Sequence, residues 1–424
     1  MRFQDFAILA ILLVLAIGRI AAGQQTAETT PPLSTPYEVD TSEDPVKVQA
    51  AEPRVITATP DIQLVVGGQV TADFLFNSAR PIAPGTPFFL APSLPSGGSQ
   101  NTFDANSRQT AFYALISGPR VCDSWESSAF VYANLYNDAV IVDRYGLLPI
   151  QAFGQLKNDC WRFAAGLQFD IFNPLNPTML PFSVLTGSGN AGSGFRGQAR
   201  VERYFYSTEF AQVTMTAGLS EPIATGLTPD FRLSEDNGLP NVESRIALAC
   251  GALEGQGLEA TRPLEFGISS VVGQIRTTSL PAGRVVADVW GLGSDARFAF
   301  TPHFGVKGEY FIGQSLGTYG GGILQNVNSS TFAPIHSQGG WGEAYYYICP
   351  NKLHTHVGYG IDSPAANDVA AGQLVRNDTI FTNLMWDVTG YFRLAGEVTY
   401  RDTVYKGLPE NNGVGFQSQV QWKF

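Results

Sequence analysis

Beyond its first two dozen residues the chain has no apolar run of eighteen or more. That excludes a bundle of membrane-spanning helices. Charge is also scarce: Asp, Glu, Lys and Arg make up 15% of the residues, against about 25% in an ordinary soluble domain. The basic side is the poorer, with 26 Lys and Arg to 37 Asp and Glu and a formal net charge of −11. No basic cluster or base-stacking motif offsets that balance, which excludes nucleic acid as a partner. The catalytic inventory is as thin. No Ser, His and Asp fall where one fold would gather them, no Gly-rich loop is built to cradle phosphate, and no carboxylate pair stands apart for acid–base work. His354 and His356 share a strand face, but no cysteine or carboxylate at ligand spacing joins them on that strand. Ordinary polar lining is expected there, not a metal site. No enzyme activity, cofactor or metal is expected.

Apolar residues, in contrast, reach 44%, aromatics 12%, and there are 45 glycines. A fold that needs apolar side chains only at alternate positions reconciles this content with the missing runs. The last eleven residues show the rhythm. Val414, Phe416, Ser418, Val420, Trp422 and Phe424 share one parity; Gly415, Gln417, Gln419, Gln421 and Lys423 share the other. Strand side chains alternate faces, so one face is nearly all apolar and the other polar. A length of about ten residues with aromatics at the end fits a strand that crosses a membrane. Trp422 and Phe424 then read as the terminal aromatic signal for outer-membrane assembly. The closing strand of a secreted, soluble β-sandwich is the alternative.

Residues 1–23 read as a secretory signal: Arg2, an apolar run from Phe6 to Ile17, then Ala21, Ala22 and Gly23 before Gln24. Residues 24–62 are rich in Thr, Pro, Ala and acidic residues, with neither helical nor strand period. They are expected to form a flexible periplasmic lead. Residues 63–424 read as one barrel.

Alternation begins at Gly68 and recurs over 102–117, 129–136, 145–155, 161–172, 195–206, 210–219, 242–249, 264–274, 284–299, 304–314, 341–348, 353–362, 379–388, 392–403 and 413–424. That makes sixteen strands, an even number, as single-chain bacterial barrels have. In the fifth, Trp161, Phe163, Ala165, Leu167, Phe169 and Ile171 alternate with Arg162, Ala164, Gly166, Gln168 and Asp170. An arginine facing lipid would cost about 2–4 kcal/mol at mid-membrane, so the charged parity faces the lumen. Turns 78–101, 173–194, 220–241, 315–340 and 363–377 are long, and those between them are mostly short, as extracellular loops and periplasmic turns are. The expected fold is an all-β, 16-stranded antiparallel transmembrane barrel set in outer-membrane lipid of a Gram-negative-type bacterium. Two places resist: Pro149 lies inside the fourth strand, and 250–263 is long for a periplasmic turn. Cys122, Cys160, Cys250 and Cys349 all fall in the periplasmic turns, an oxidising place where disulfides form. Cys122–Cys160, about 10 Å apart across two strands and within reach given some turn flexibility, is the favoured pair, and Cys250–Cys349, reached through the long 250–263 segment, the second.

Several segments resemble the DcaP-like trimeric porins: "VVGGQVTADF" (65–74), "FDANSRQTAF" (103–112), "WRFAAGLQFDIFNPLNP" (161–177), "FRGQARVERYF" (195–205), "GEYFIGQSLGTYGGG" (308–322) and the terminal "QVQWKF". The resemblance implies a homotrimer of sixteen-stranded barrels that passes small, often anionic or dicarboxylate solutes by diffusion. The N-terminal coiled coil that such proteins can carry is missing, since 24–60 has six prolines and no heptads.

Parity turns Arg108, Arg162, Asp170, Arg196, Arg200, Glu202, Arg245 and Arg393 into the lumen, where a transverse field would draw anions. Arg196 and Arg200 are expected to matter most. They follow the uncharged loop 173–194, whose Asn173, Pro174, Met179 and Phe182 would fold inward as the constriction loop of general porins does. Leu, Met, Phe and small polar groups would then face the arginines, a gap suited to solutes with an acidic head and an apolar body. A barrel acting through its extracellular loops, as an adhesin or receptor, is the other reading.

Overall fold

A computed structural model describes residues 54–424, except 60, 61, 84, 95–99, 123, 137–144, 193, 206, 224–238, 253–261, 281, 282 and 351. The expected signal 1–23 and most of the expected lead 24–62 lie outside the described residues. Among the described residues eighteen strands follow in order. They are β1 Arg54–Thr59, β2 Ile62–Asn77, β3 Thr102–Asn106, β4 Ala111–Ser117, β5 Glu126–Tyr136 and β6 Tyr145–Lys157. Next come β7 Trp161–Phe169, β8 Phe195–Phe205, β9 Ala211–Ser220, β10 Asn241–Cys250, β11 Leu264–Leu280 and β12 Gly283–Thr301. The last six are β13 Phe304–Gln314, β14 His336–Cys349, β15 Leu353–Pro364, β16 Leu374–Thr389, β17 Phe392–Tyr405 and β18 Asn411–Lys423.

Every pairing is antiparallel, and from β4 onward each strand pairs with its sequence neighbours through β18. The ring closes where β18 pairs with β2, Phe416 opposite Phe76 and Trp422 opposite Val70. Eighteen strands occupy sixteen wall positions. β3 and β4 share one, lying along the two halves of the same β2 edge. β1 pairs with β2 from Arg54↔Val66 to Thr59↔Ile62, on the edge opposite β4, so it continues the line of β18 below the C-terminus. The stretch read as an aperiodic lead therefore ends in a strand.

The break between β3 and β4 falls within the expected 102–117 strand and has a local cause. Asn106 Oδ1 accepts from the backbone N–H of Arg108 at 3.0 Å, an Asx-type turn that competes with the ladder. Pro149, which cannot donate to a ladder, sits opposite Ala133 at a register shift between Tyr132 and Ala133. A bulge absorbs the missing bond. The expected loop 275–283 is mostly ladder, because β11 and β12 continue to a two-residue connection.

The two faces of the wall differ as alternation requires. Val70, Phe74, Phe112, Phe163, Ile246, Phe266, Ile268, Leu292, Ile312, Val357 and Phe416 stand exposed on the outside. That continuous apolar surface is what a hydrocarbon layer covers. Asp73, Glu243, Asp295, Glu309, Glu343, Asp387, Arg393 and Glu397 are buried within. Inside, the apolar core is lopsided. Val271, Ile275, Ala287, Val289 and Phe311 of β11–β13 pack against Phe172, Leu316, Tyr319 and Val327 of two inward-folded loops. Those loops fill one side of the barrel and leave the other open.

Candidate functional site

The loop after β7 enters the barrel and lies along the inner wall. Its prolines at 174, 177 and 181 have no N–H, so few backbone donors need a partner there. Wall carboxylates take most of the rest. Ile171 and Phe172 donate to Glu243 Oε2 at 2.6 and 3.2 Å. Leu175 donates to Glu309 Oε1 at 2.6 Å, Thr178 to Glu343 Oε2 at 2.6 Å and Leu180 to Glu397 Oε2 at 3.0 Å. A loop with no charge of its own is thus held by carboxyl oxygens of β10, β13, β14 and β17. Lys307 Nζ adds a bond to Thr178 Oγ1 at 2.9 Å, and Asn383 Nδ2 one to the Thr178 carbonyl at 2.7 Å. The returning half touches the wall backbone to backbone. A Cβ on Gly189, whose φ is +101°, would sit 2.2 Å from the Gly340 carbonyl.

A second loop, with short 3-10 turns at Gly317–Tyr319 and Gly322–Leu324, packs on the first. Tyr319 is fully buried, edge-on to Phe172 at 5.9 Å and accepting from Asn241 Nδ2 at 3.0 Å. Burial pushes its phenol above the ordinary range, so it stays neutral.

What the loops leave open is a cavity of ≈ 440 Å³ on the β2, β5, β6 and β16–β18 side. The loop presents Met179, Leu180, Pro181 and Phe182 to it. Phe182 stacks on Tyr136 of β5 at 4.2 Å between centroids, so the loop spans to the far wall there. Opposite stand Gln69, Gln109, Gln419, Gln421 and Arg393. Among the described lining residues Arg393 is the one charged group. Its Nε and a terminal nitrogen donate to the two oxygens of Asp387 at 2.8 and 3.1 Å, which fixes the guanidinium on the wall.

The other residues expected in the lumen are inside the barrel but held by polar partners outside the cavity lining. Arg196 is 1% exposed, bound to Asp170 at 2.5 Å, donating to the Thr318 carbonyl and stacked 3.9 Å over the Tyr319 ring. Arg200 donates to Gln198 Oε1 at 3.1 Å and to the Phe169 carbonyl. Arg162 pairs with Glu202, Arg245 with Asp295 at 2.5 Å and Glu265 at 2.8 Å, and Arg108 with Asp104 at 3.0 Å. The geometry therefore moves the emphasis from Arg196 and Arg200 to Arg393. Of the loop residues singled out, Met179 and Phe182 line the cavity, whereas Asn173 is buried against Ser269, its N–H 3.1 Å from the Ser269 hydroxyl, and Pro174 does not line it. The glutamines and the wall glutamates were not singled out. The all-polar parity of Gln417, Gln419 and Gln421 was the available signal for the former.

The expected disulfides are corrected. Cys122, Cys160, Cys250 and Cys349 are all free thiols. Turns two strands apart stand about 10 Å from each other, beyond the roughly 7 Å between Cα atoms that a bridge tolerates. His354 and His356 are buried in contact with each other, and no group of three or more potential metal ligands forms among the described residues.

No protein-family model matches the chain, and no curated protein matches it in sequence. Solved structures match its fold. The outer membrane channel DcaP of Acinetobacter baumannii superposes with a TM-score of 0.67 at 13% identity, over 87% of this chain and 99% of that one. OmpT of Vibrio cholerae gives 0.54 at 11% identity, covering 88% and 100%. An anion-selective porin from Comamonas acidovorans gives 0.55 at 8% identity, covering 86% and 100%. The fold is that of the outer-membrane channel barrels.

Proposed function

We propose that the chain is an outer-membrane porin, a homotrimer in the lipid of a Gram-negative-type outer membrane that lets small hydrophilic solutes diffuse through, with a preference for anions or dicarboxylates. One observation carries the reading. A closed barrel with an apolar exterior is narrowed by an inward loop to a cavity that sets Met179 and Phe182 against Arg393. A fixed cation facing an apolar shelf suits a solute with an acidic head and an apolar body. One fold neighbour is described as anion-selective, and OmpT has a trimer form. Arg393 and the loop residues Met179 and Phe182 set the preference; the ion-paired Arg108, Arg162, Arg196 and Arg245, together with Arg200 on Gln198 and the Phe169 carbonyl, hold the lumen's shape. Trp422 and Phe424, exposed at the end of β18, serve as the assembly signal.

Reconstitution in planar bilayers tests this. Stepwise conductance with a reversal potential on the anion side is expected, and Arg393→Gln should lower the anion-to-cation permeability ratio about threefold, as losing one nearby charge does. An inserted protein that carries no current ends the channel reading. An unchanged ratio in the variant removes Arg393 from the filter.

A further inference from the structure

Behind Arg393 a row of buried polar groups crosses five strands. On β13, Lys307 Nζ lies 3.9 Å from Glu343 Oε1 of β14. That oxygen is 2.6 Å from His356 Nδ1, and His356 Nε2 is 2.8 Å from His354 Nδ1, both on β15. His354 Nε2 then faces Asp387 Oδ2 of β16 at 3.7 Å, and Asp387 holds Arg393 of β17. Glu343, His354, His356, Asp387 and Arg393 are all at most 3% exposed. The row joins the cavity at Arg393 to the loop anchor at Glu343.

Hydrogen-bond logic fixes the protons. An ionised Glu343 only accepts, so His356 Nδ1 carries the hydrogen; its Nε2 then accepts, and the donor is His354 Nδ1. That leaves His354 Nε2 bare, buried and without a hydrogen-bond partner, aimed at a carboxylate that also only accepts. A proton added at His356 Nε2 would break the bond between the rings. One added at His354 Nε2 breaks nothing and creates a donor facing Asp387.

We infer that His354 is a positioning residue that sets the ion preference of the channel by pH. A proton taken from water by His354 Nε2 draws Asp387 across the 3.7 Å gap. Asp387 then divides between the imidazolium and Arg393, and the wall of the cavity carries one more positive charge. The inference rests on the channel reading above. The charged and titratable groups facing the pair are Lys307 and Glu309 of β13, Glu343, Tyr345 and Tyr347 of β14, Asp387 of β16, Arg393 and Glu397 of β17 and Lys423 of β18. The loop 173–194 brings none.

The experiment is the reversal potential in a potassium chloride gradient, across roughly pH 7.5 to 3, a window that runs well below the range in which an exposed histidine takes up its proton. The wild-type anion-to-cation permeability ratio should rise about threefold on acidification, the same change as one charge makes at Arg393, since an added positive charge attracts anions and repels cations together. His354→Asn, whose amide can still donate to His356, should lose the rise. Asp387→Asn should start at the acid ratio and stay there. A wild-type ratio that does not move with pH overturns the inference while leaving the channel intact. So does a rise that survives in either variant. Absence of any current is a different result and counts against the channel reading alone.

Discussion

Arg196 and Arg393 have the same chemistry, the same inward parity and a carboxylate partner each, yet their surroundings set them different tasks. Arg196 is closed over by Tyr319 and Thr318, so no solute meets it. Its removal would leave Asp170, itself 1% exposed, as a buried charge without a counterion. Such losses cost about 3–5 kcal/mol. Arg196→Ala should therefore lower the temperature at which the barrel unfolds in detergent, read by heat-modifiable gel migration, while leaving the reversal potential near the wild-type value. A shift in ion preference without a loss of heat resistance would reverse the two roles. Period-two alternation told which way both arginines point. It could not tell them apart, because Tyr319 arrives from a loop more than a hundred residues further on.

The inward loop is an element whose position is written elsewhere in the chain. Its own sequence, with three prolines, many apolar residues and no charge, marked it as unusual for a surface connection. Where it docks depends on glutamates of β10, β13, β14 and β17, whose parity was legible but whose partners were not. Each of those carboxylates looks from sequence like ordinary lumen lining. Replacing Glu343 by Gln should loosen the loop at Thr178, since an amide presents that N–H group with a weaker, uncharged acceptor. Single-channel records should then show larger and noisier conductance. A quiet trace at wild-type amplitude would mean that the apolar contacts of Leu185 with Trp341 and Phe381 suffice to hold it. The strand pattern itself was readable nearly throughout. It missed β1 inside the expected lead, and it missed where a local bond intervened, at the Asn106 turn, or where ladder ran into an expected loop, at β11, β12 and the starts of β14 and β16.

At the scale of the molecule, the barrel needs no covalent staple. Its ladders leave no open edge in the ring, and the side chains at the seam between β18 and β2 are tied again by Asp73, which accepts from Gln417 and Gln419 at 2.9 and 2.8 Å. Titration of the folded protein with a membrane-impermeant maleimide should label Cys122, Cys160 and Cys349 readily and Cys250 more slowly, following their exposure. Reduction beforehand should add no further label; a gain of two would show a bridge. The disulfide expectation failed on distance, because turn spacing is set by strand spacing and a thiol pair has no slack to match it. β1 gives the seam another meaning. Phe424 exchanges backbone bonds with Gly68, and Arg54 pairs at Val66, two positions along the same partner. Both run in the same direction, so β18 and β1 amount to a single staff cut in two. With residues 1–53 removed, a peptide link of a residue or so from Phe424 to Arg54 would splice that cut into an endless wall, and the chain could then be opened at any outer loop instead, with the order of its strands in space unchanged.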